Sequence, residues 1–168
     1  ILTNNTNITN STFQNNYYSL RLTNANNSYI YNNTFINPRG NYNLLIVYSN
    51  FNNITNNNID GANVAIELWG SNNTLQSNTI NATLVGFYLG QAHNNTIKDT
   101  YLLSQGTGIY LTASNDNLIK NTTITTGDDY TADNWGLYNS GTRNTIYNST
   151  VYWTSENASA IYFNNPTD

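Results

Sequence analysis

The sequence predicts an all-β fold, a parallel β-helix (β-solenoid) of about seven coils of roughly 22 residues. Three observations predict it. Large aliphatic residues recur at a near-constant interval. A second apolar residue follows each of them at a fixed offset. A third apolar pair then recurs with the two-residue period of a strand.

The first element is the row of anchors Ile8, Ile30, Ile54, Leu75, Ile97, Ile119 and Ile146, separated by 22, 24, 21, 22, 22 and 27 residues. Five residues after each anchor stands the second, in all seven rows: Phe13, Phe35, Ile59, Ile80, Leu102, Ile124 and Val151. The third is an i, i+2 pair: Leu20 and Leu22, Ile66 and Leu68, Phe87 and Leu89, Ile109 and Leu111. Rows two, six and seven carry small insertions and read Leu45 and Val47, Leu137 and Asn139, Ile161 and Phe163. Alternating pairs, with Gly and Asn between them and few Lys, Glu, Arg or Gln, exclude helices. Stacked at the spacing of paired strands, seven such coils make a rod of about 34 Å.

The corners explain the composition. Of 168 residues, 37 are Asn, 24 Thr and 12 Ser, while only 8% are charged. Two residues after the anchors stand Asn10, Asn32, Asn56, Ser77, Asp99, Asn121 and Asn148; two before them stand Thr6, Ser28, Asn52, Asn73, Asn95, Asn117 and Asn144. Asn tolerates left-handed backbone at a turn. Its amide can also bond to the same amide one coil away.

Composition excludes several function classes. A net charge of −4 offers no basic footprint for nucleic acid. Without Cys there is no disulfide scaffold, zinc knuckle or thiol nucleophile. No apolar run has the roughly 18 to 20 residues of a transmembrane helix.

The rows Asn72 to Ile80, Gly86 to Leu102 and Gly108 to Ile124 resemble the right-handed parallel β-helix repeats of NosD-like and pectate-lyase-like proteins. The resemblance runs over essentially the whole chain and implies one β-helix domain over residues 1–168, of a secreted or cell-surface type that is common in archaea. It does not choose a function, because lyases, hydrolases, epimerases, adhesins and tail spikes share the scaffold.

Carboxylates concentrate only in Gly127 to Asn134, where Asp128, Asp129 and Asp133 form a candidate calcium site; no cofactor is otherwise required. Gly127-Asp128-Asp129 echoes one motif of polygalacturonase-like glycosidases, but the Asn-Thr-Asp, Gly-His-Gly and Arg-Ile-Lys elements that accompany it there are missing. His93, the single His, makes no copper site without Cys or Met partners and reads as a corner residue. The lack of a convergent acid, base and cation cluster speaks against catalysis.

The outward position of the third pair reads Arg21, Ile46, Glu67, Tyr88, Tyr110, Tyr138 and Tyr162. With Trp69 and Trp135 beside them, the four tyrosines form a candidate contact face for carbohydrate or for a neighbouring subunit. A second outward column, Thr12, Thr34, Asn58, Thr79, Tyr101, Thr123 and Thr150, is too interrupted for an ice-binding face. Asn-X-Ser/Thr sequons occur at Asn4, Asn7, Asn10, Asn26, Asn32, Asn53, Asn72, Asn81, Asn94, Asn121, Asn148 and Asn157, candidate N-glycosylation sites on a secretory route.

These features lead to the expectation of an extracellular or cell-surface structural or adhesive component of a surface layer, sheath or filament, N-glycosylated and self-associating through its ends or faces. The chain would be a filament subunit or a segment of a longer surface protein. The alternative is a carbohydrate-binding or carbohydrate-active, lyase- or hydrolase-like, β-helix fragment.

Overall fold

The computed structural model describes residues 4–36, 38–127, 134–153 and 159–164. Among them every regular element is a β-strand, and every strand pair is parallel. Each coil lays down three short lanes. The first lane is a seven-stranded sheet of three-residue strands, from Asn7–Thr9 at one end to Thr145–Tyr147 at the other. Lanes two and three join into a twelve-stranded sheet, because Asn58–Trp69 and Thr79–Gly90 run through both without interruption.

The registers are those of the predicted columns. Ile8 pairs with Ile30 and Ile30 with Ile54, and the anchors continue in step through Ile97, Ile119 and Ile146. Phe13, Phe35, Ile59, Ile80, Leu102, Ile124 and Val151 form the second column in the same way. Ile30, Ile54, Ile59, Leu75, Ile80, Leu102, Ile119 and Ile124 have no exposed surface. Burying each such side chain favours folding by about 1.5–3 kcal/mol, so the axis of the rod is its core. Phe13 stacks on Phe35 with ring centroids 5.0 Å apart and planes 10° from parallel.

Row two departs from the expected register by one residue. Leu20 lies opposite Leu44 and Leu22 opposite Ile46, so Leu44 and Ile46 enter the core, while Leu45 takes the outward position next to Arg21. The run Leu44-Leu45-Ile46-Val47 is apolar throughout, so the period of two could not choose between its faces.

The Asn columns have two different jobs. Asn10, Asn32, Asn56, Ser77, Asp99, Asn121 and Asn148 all hold φ between 45° and 55°, the left-handed corner. A second left-handed column, three residues before the anchors, runs Asn5, Asn27, Phe51, Asn72, Asn94, Asp116 and Arg143. The column two before the anchors has ordinary backbone and is turned inward: Ser28, Asn52, Asn73, Asn95 and Asn117 are at most 2% exposed. There each Oδ1 accepts the backbone N–H of the coil before it, at 2.9 Å from Asn52, 2.8 Å from Asn73 and 2.9 Å from Asn95. The Nδ2 groups of Asn73, Asn95 and Asn117 donate to the carbonyls of Ser49, Gly70 and Ala92 at 3.0, 3.0 and 2.9 Å. A second amide ladder, Asn33, Asn57 and Asn78, lines the next corner in the same manner.

Gly86, Gly108 and Gly136 mark where lanes two and three close on one another. A Cβ on Gly108 would lie 2.4 Å from Ile124 Cγ2 and 2.5 Å from the Gly136 carbonyl oxygen. Only a residue without a side chain lets the coils approach this closely.

Candidate functional site

On the third lane the outward side chains form one column, Arg21, Leu45, Glu67, Tyr88, Tyr110, Tyr138 and Tyr162, each opposite the next. From Tyr88 onward it is a continuous aromatic stack. Tyr88 and Tyr110 lie 5.5 Å apart and 5° from parallel, Tyr110 and Tyr138 4.4 Å and 6°, Tyr138 and Tyr162 5.6 Å and 19°. Trp135 leans onto the stack, 4.8 Å from Tyr138 and 5.6 Å from Tyr162. Tyr110 and Tyr138 therefore spend both ring faces on their neighbours, and Tyr138 is only 8% exposed. Faces open to a ligand occur where the stack ends.

It ends at row three, where the column places Glu67 beside Tyr88 in place of another aromatic. A second stack approaches from the other side: Tyr18 and Tyr42, paired in register, have centroids 5.9 Å apart and planes 11° from parallel. Between the two stacks lies a groove. Its wider part, about 370 Å³, is lined by Tyr18, Arg21, Tyr42, Leu45, Glu67 and Trp69 among others; its narrower part, about 280 Å³, by Tyr42, Val64, Glu67 and Tyr88. Glu67 belongs to both.

The Glu67 carboxylate organises the aromatics around it. Trp69 Nε1 donates to its Oε1 at 2.5 Å, and Tyr42 stands beside it on the groove lining. The indole of Trp69 stands 6.0 Å from Tyr88, and a Cβ on Gly90 would meet that indole at 2.9 Å, so glycine makes room for it. Burial, and then the Glu67 charge, push the Tyr42 and Tyr88 hydroxyls above the ordinary phenol range. Both stay protonated at neutral pH and act as donors. The groove thus offers aromatic walls, apolar Leu45 and Val64, an acceptor at Glu67 and a cation at Arg21, the mixture of apolar lining and few polar groups that small-molecule sites use. A two-carboxylate glycosidase centre needs a partner acid; among the described residues lining the groove Glu67 is the single carboxylate.

Tyr88, Tyr110, Tyr138, Tyr162, Trp69 and Trp135 are thus brought onto one face, as the sequence places them. Tyr18 and Tyr42 complete the groove; the column spacing does not point to them, although Tyr17-Tyr18 and Tyr42 stand as aromatics just ahead of the third apolar pair. Asp128, Asp129 and Asp133, the candidate calcium ligands, and the sequon at Asn157 lie outside the described residues. No cluster of three His, Cys, Asp or Glu that could hold a metal occurs among the described residues. Nor is any helix there long and apolar enough to cross a membrane.

Of the other sequons, Asn4, Asn7, Asn10, Asn32, Asn53, Asn72, Asn81, Asn94, Asn121 and Asn148 are exposed, and Asn26 is half-buried with its Oδ1 holding the Asn50 N–H at 2.6 Å. His93 takes a ladder position: its Nδ1 accepts the Asn115 N–H at 3.1 Å, where Asn26 and Asn50 use their amide oxygens.

A family model described as a right handed beta helix region matches residues 1–151. The chain belongs to the right-handed β-helix family. Among solved structures, this β-helix superposes on a tailspike protein double mutant of E. coli bacteriophage HK620 with a TM-score of 0.83 at 14% identity, covering 96% of this chain and 36% of that one. A tailspike mutant of the same phage in complex with a pentasaccharide gives a TM-score of 0.82 at 15% identity, with 96% and 36% covered. The A-module of the Azotobacter vinelandii mannuronan C-5 epimerase AlgE4 gives 0.59 at 15% identity, with 95% and 58% covered. This β-helix therefore spans about a third of the length of the tailspike chains it matches. No curated protein matches it in sequence.

Proposed function

We propose that this β-helix binds a carbohydrate chain on its third lane, in the groove where the tyrosine column gives way to Glu67. The observation that carries the reading is the meeting of two aromatic stacks, Tyr18–Tyr42 and Tyr88–Tyr162, around one carboxylate that accepts from Trp69. Aromatic faces suit the C–H faces of pyranose rings, and a hydrogen-bonding carboxylate suits their hydroxyls. The structural neighbours support it, since one is a tailspike bound to a pentasaccharide and another a mannuronan C-5 epimerase. That support puts carbohydrate binding ahead of the filament or sheath role, which rests on the repeat alone.

Extracellular or cell-surface placement, occupied sequons, self-association through ends or faces, and calcium at Asp128, Asp129 and Asp133 belong to this same reading as proposals. Intact mass, sedimentation and calcium titration test them. The central test is an oligosaccharide array probed with the intact chain and with Trp69→Ala. Saccharide binding that the substitution weakens by about tenfold or more is the expected result. Binding that survives it unchanged would move the site away from the groove.

A further inference from the structure

Resting on the carbohydrate reading, we propose that the narrow part of the groove takes an uncharged pyranose, a neutral hexose or an N-acetylhexosamine, and rejects a uronate. That space is bounded by Tyr42, Val64, Glu67 and Tyr88, a volume of about 280 Å³. Its single ionised group is Glu67. A carboxylate is acceptor-only, with about four lone-pair sites. Here Trp69 Nε1 occupies one at 2.5 Å. The sites left over demand a donor from the ligand, and a sugar hydroxyl or an acetamido N–H supplies one.

A uronate would bring a second acceptor-only anion to the same place. Two carboxylates sharing a site repel unless one takes up a proton. No Lys or Arg lines this part of the groove to compensate. Arg21 stands in the same column with Leu45 between it and Glu67, two coil spacings or about 10 Å away. Its Nε is turned to Thr23 Oγ1 at 3.1 Å. Tyr42 and Tyr88 stay neutral donors and add no positive charge. Val64 matches an apolar ring face and gains nothing from an acid.

The test is an array of neutral, N-acetylated and uronate oligosaccharides, followed by titration of the best binders, with the intact chain and with Glu67→Gln. Glutamine keeps an acceptor for Trp69, and circular dichroism and thermal melting serve as the check that the fold is retained. Expected is binding of neutral or N-acetylated chains about tenfold or more tighter than uronates, about 1.4 kcal/mol, and a narrowing of that gap in Glu67→Gln through stronger uronate binding. With the wild-type chain alone, raising salt should strengthen uronate binding, because salt screens like-charge repulsion. Uronates bound as tightly as neutral chains, uronate binding that salt weakens, or a gap that folded Glu67→Gln leaves untouched would overturn the specificity and leave carbohydrate binding standing. Failure of the wild-type chain to bind any saccharide would overturn both.

Discussion

The indole N–H of Trp69 reaches back two residues along its own strand and donates to Glu67 Oε1 at 2.5 Å. Residues i and i+2 of a strand project from the same face, so the bond ties a groove wall to the charge on the groove floor. It fixes the indole over Gly90 and against Tyr88. The site is held together by its own polar group.

Removing the indole should therefore weaken saccharide binding more than it weakens the fold. Trp69→Ala is expected to lose about 2 kcal/mol or more of binding, as truncating a central aromatic does. Trp69→Phe keeps an aromatic ring but frees a carboxylate oxygen and should fall between wild type and Ala. Calorimetric titration of the three proteins gives the order.

Tyr110 and Tyr88 belong to one stack and should behave differently. Tyr110 lies between two parallel partners, so Tyr110→Leu should cost about 1–3 kcal/mol of stability, two ring pairs at about 0.5–1.5 kcal/mol each. It should leave saccharide affinity near wild type. Tyr88→Leu, at the groove end of the stack, should lower both. Chemical denaturation paired with binding separates the two roles.

The two kinds of Asn corner make opposite predictions. Asn121 holds φ at 49° with its side chain exposed, so Asn121→Gly should change stability by less than about 0.5 kcal/mol. Asn95 is 1% exposed and satisfies the Asn73 N–H and the Gly70 carbonyl together. Asn95→Gly strands both, at about 1–3 kcal/mol for each buried group, and should lower the denaturation midpoint sharply.

Acid should loosen the coil-six corner first. Asp116 Oδ1 and Oδ2 accept from Arg143 Nε and Nη2 at 2.6 and 2.7 Å, and this bond to Arg143 holds the Asp116 carboxyl below its usual range. A group whose folded pKa is depressed stabilises the fold above its unfolded value, and that contribution is lost as pH falls through the folded one. The wild-type midpoint should therefore drop on acidification below about pH 4 by more than that of Asp116→Asn. Because the pair is exposed, high salt should shrink the difference.

Gly108→Ala is expected to destabilise by about 1–3 kcal/mol, the range for forcing a methyl into packed surroundings. The new Cβ meets both Ile124 and the Gly136 carbonyl, and a backbone carbonyl cannot yield as a side chain can. Thermal melting compared with Gly127→Ala, where the nearest atom lies at 3.3 Å, isolates the effect.

What could be read from the sequence was what repeats. Ile54 and Leu75, and Ile59 and Ile80, announce their columns because each sits alone between polar neighbours. Row two points to Leu45 and Val47 in place of Leu44 and Ile46 because all four are equally apolar, and only pairing with Leu20 and Leu22 decides which pair enters the core. Asn33, Asn57 and Asn78 are not distinguished from Asn32 and Asn56 by the sequence, since identity cannot tell a buried amide from a left-handed corner. Asn52 and its column, read as corner residues, turned out to be interior hydrogen-bonding groups. The tyrosine column was legible, but the groove was not. It depends on Tyr42, in a neighbouring column, sharing the groove lining with Glu67, a juxtaposition that no spacing rule contains.

Ile119 faces Ile146 across 27 residues in the same register that Ile97 keeps with Ile119 across 22. The rod measures height by columns and ignores contour length, so surplus chain between the strand Thr123–Thr126 and the strand Trp135–Asn139 leaves the strands on either side in step. In this sense the scaffold is a ruler with one graduation about every 4.8 Å. Sequence spliced into any corner would be displayed at a known mark along it, and a row of groups spliced into successive corners would reproduce the repeat of a polymer laid alongside.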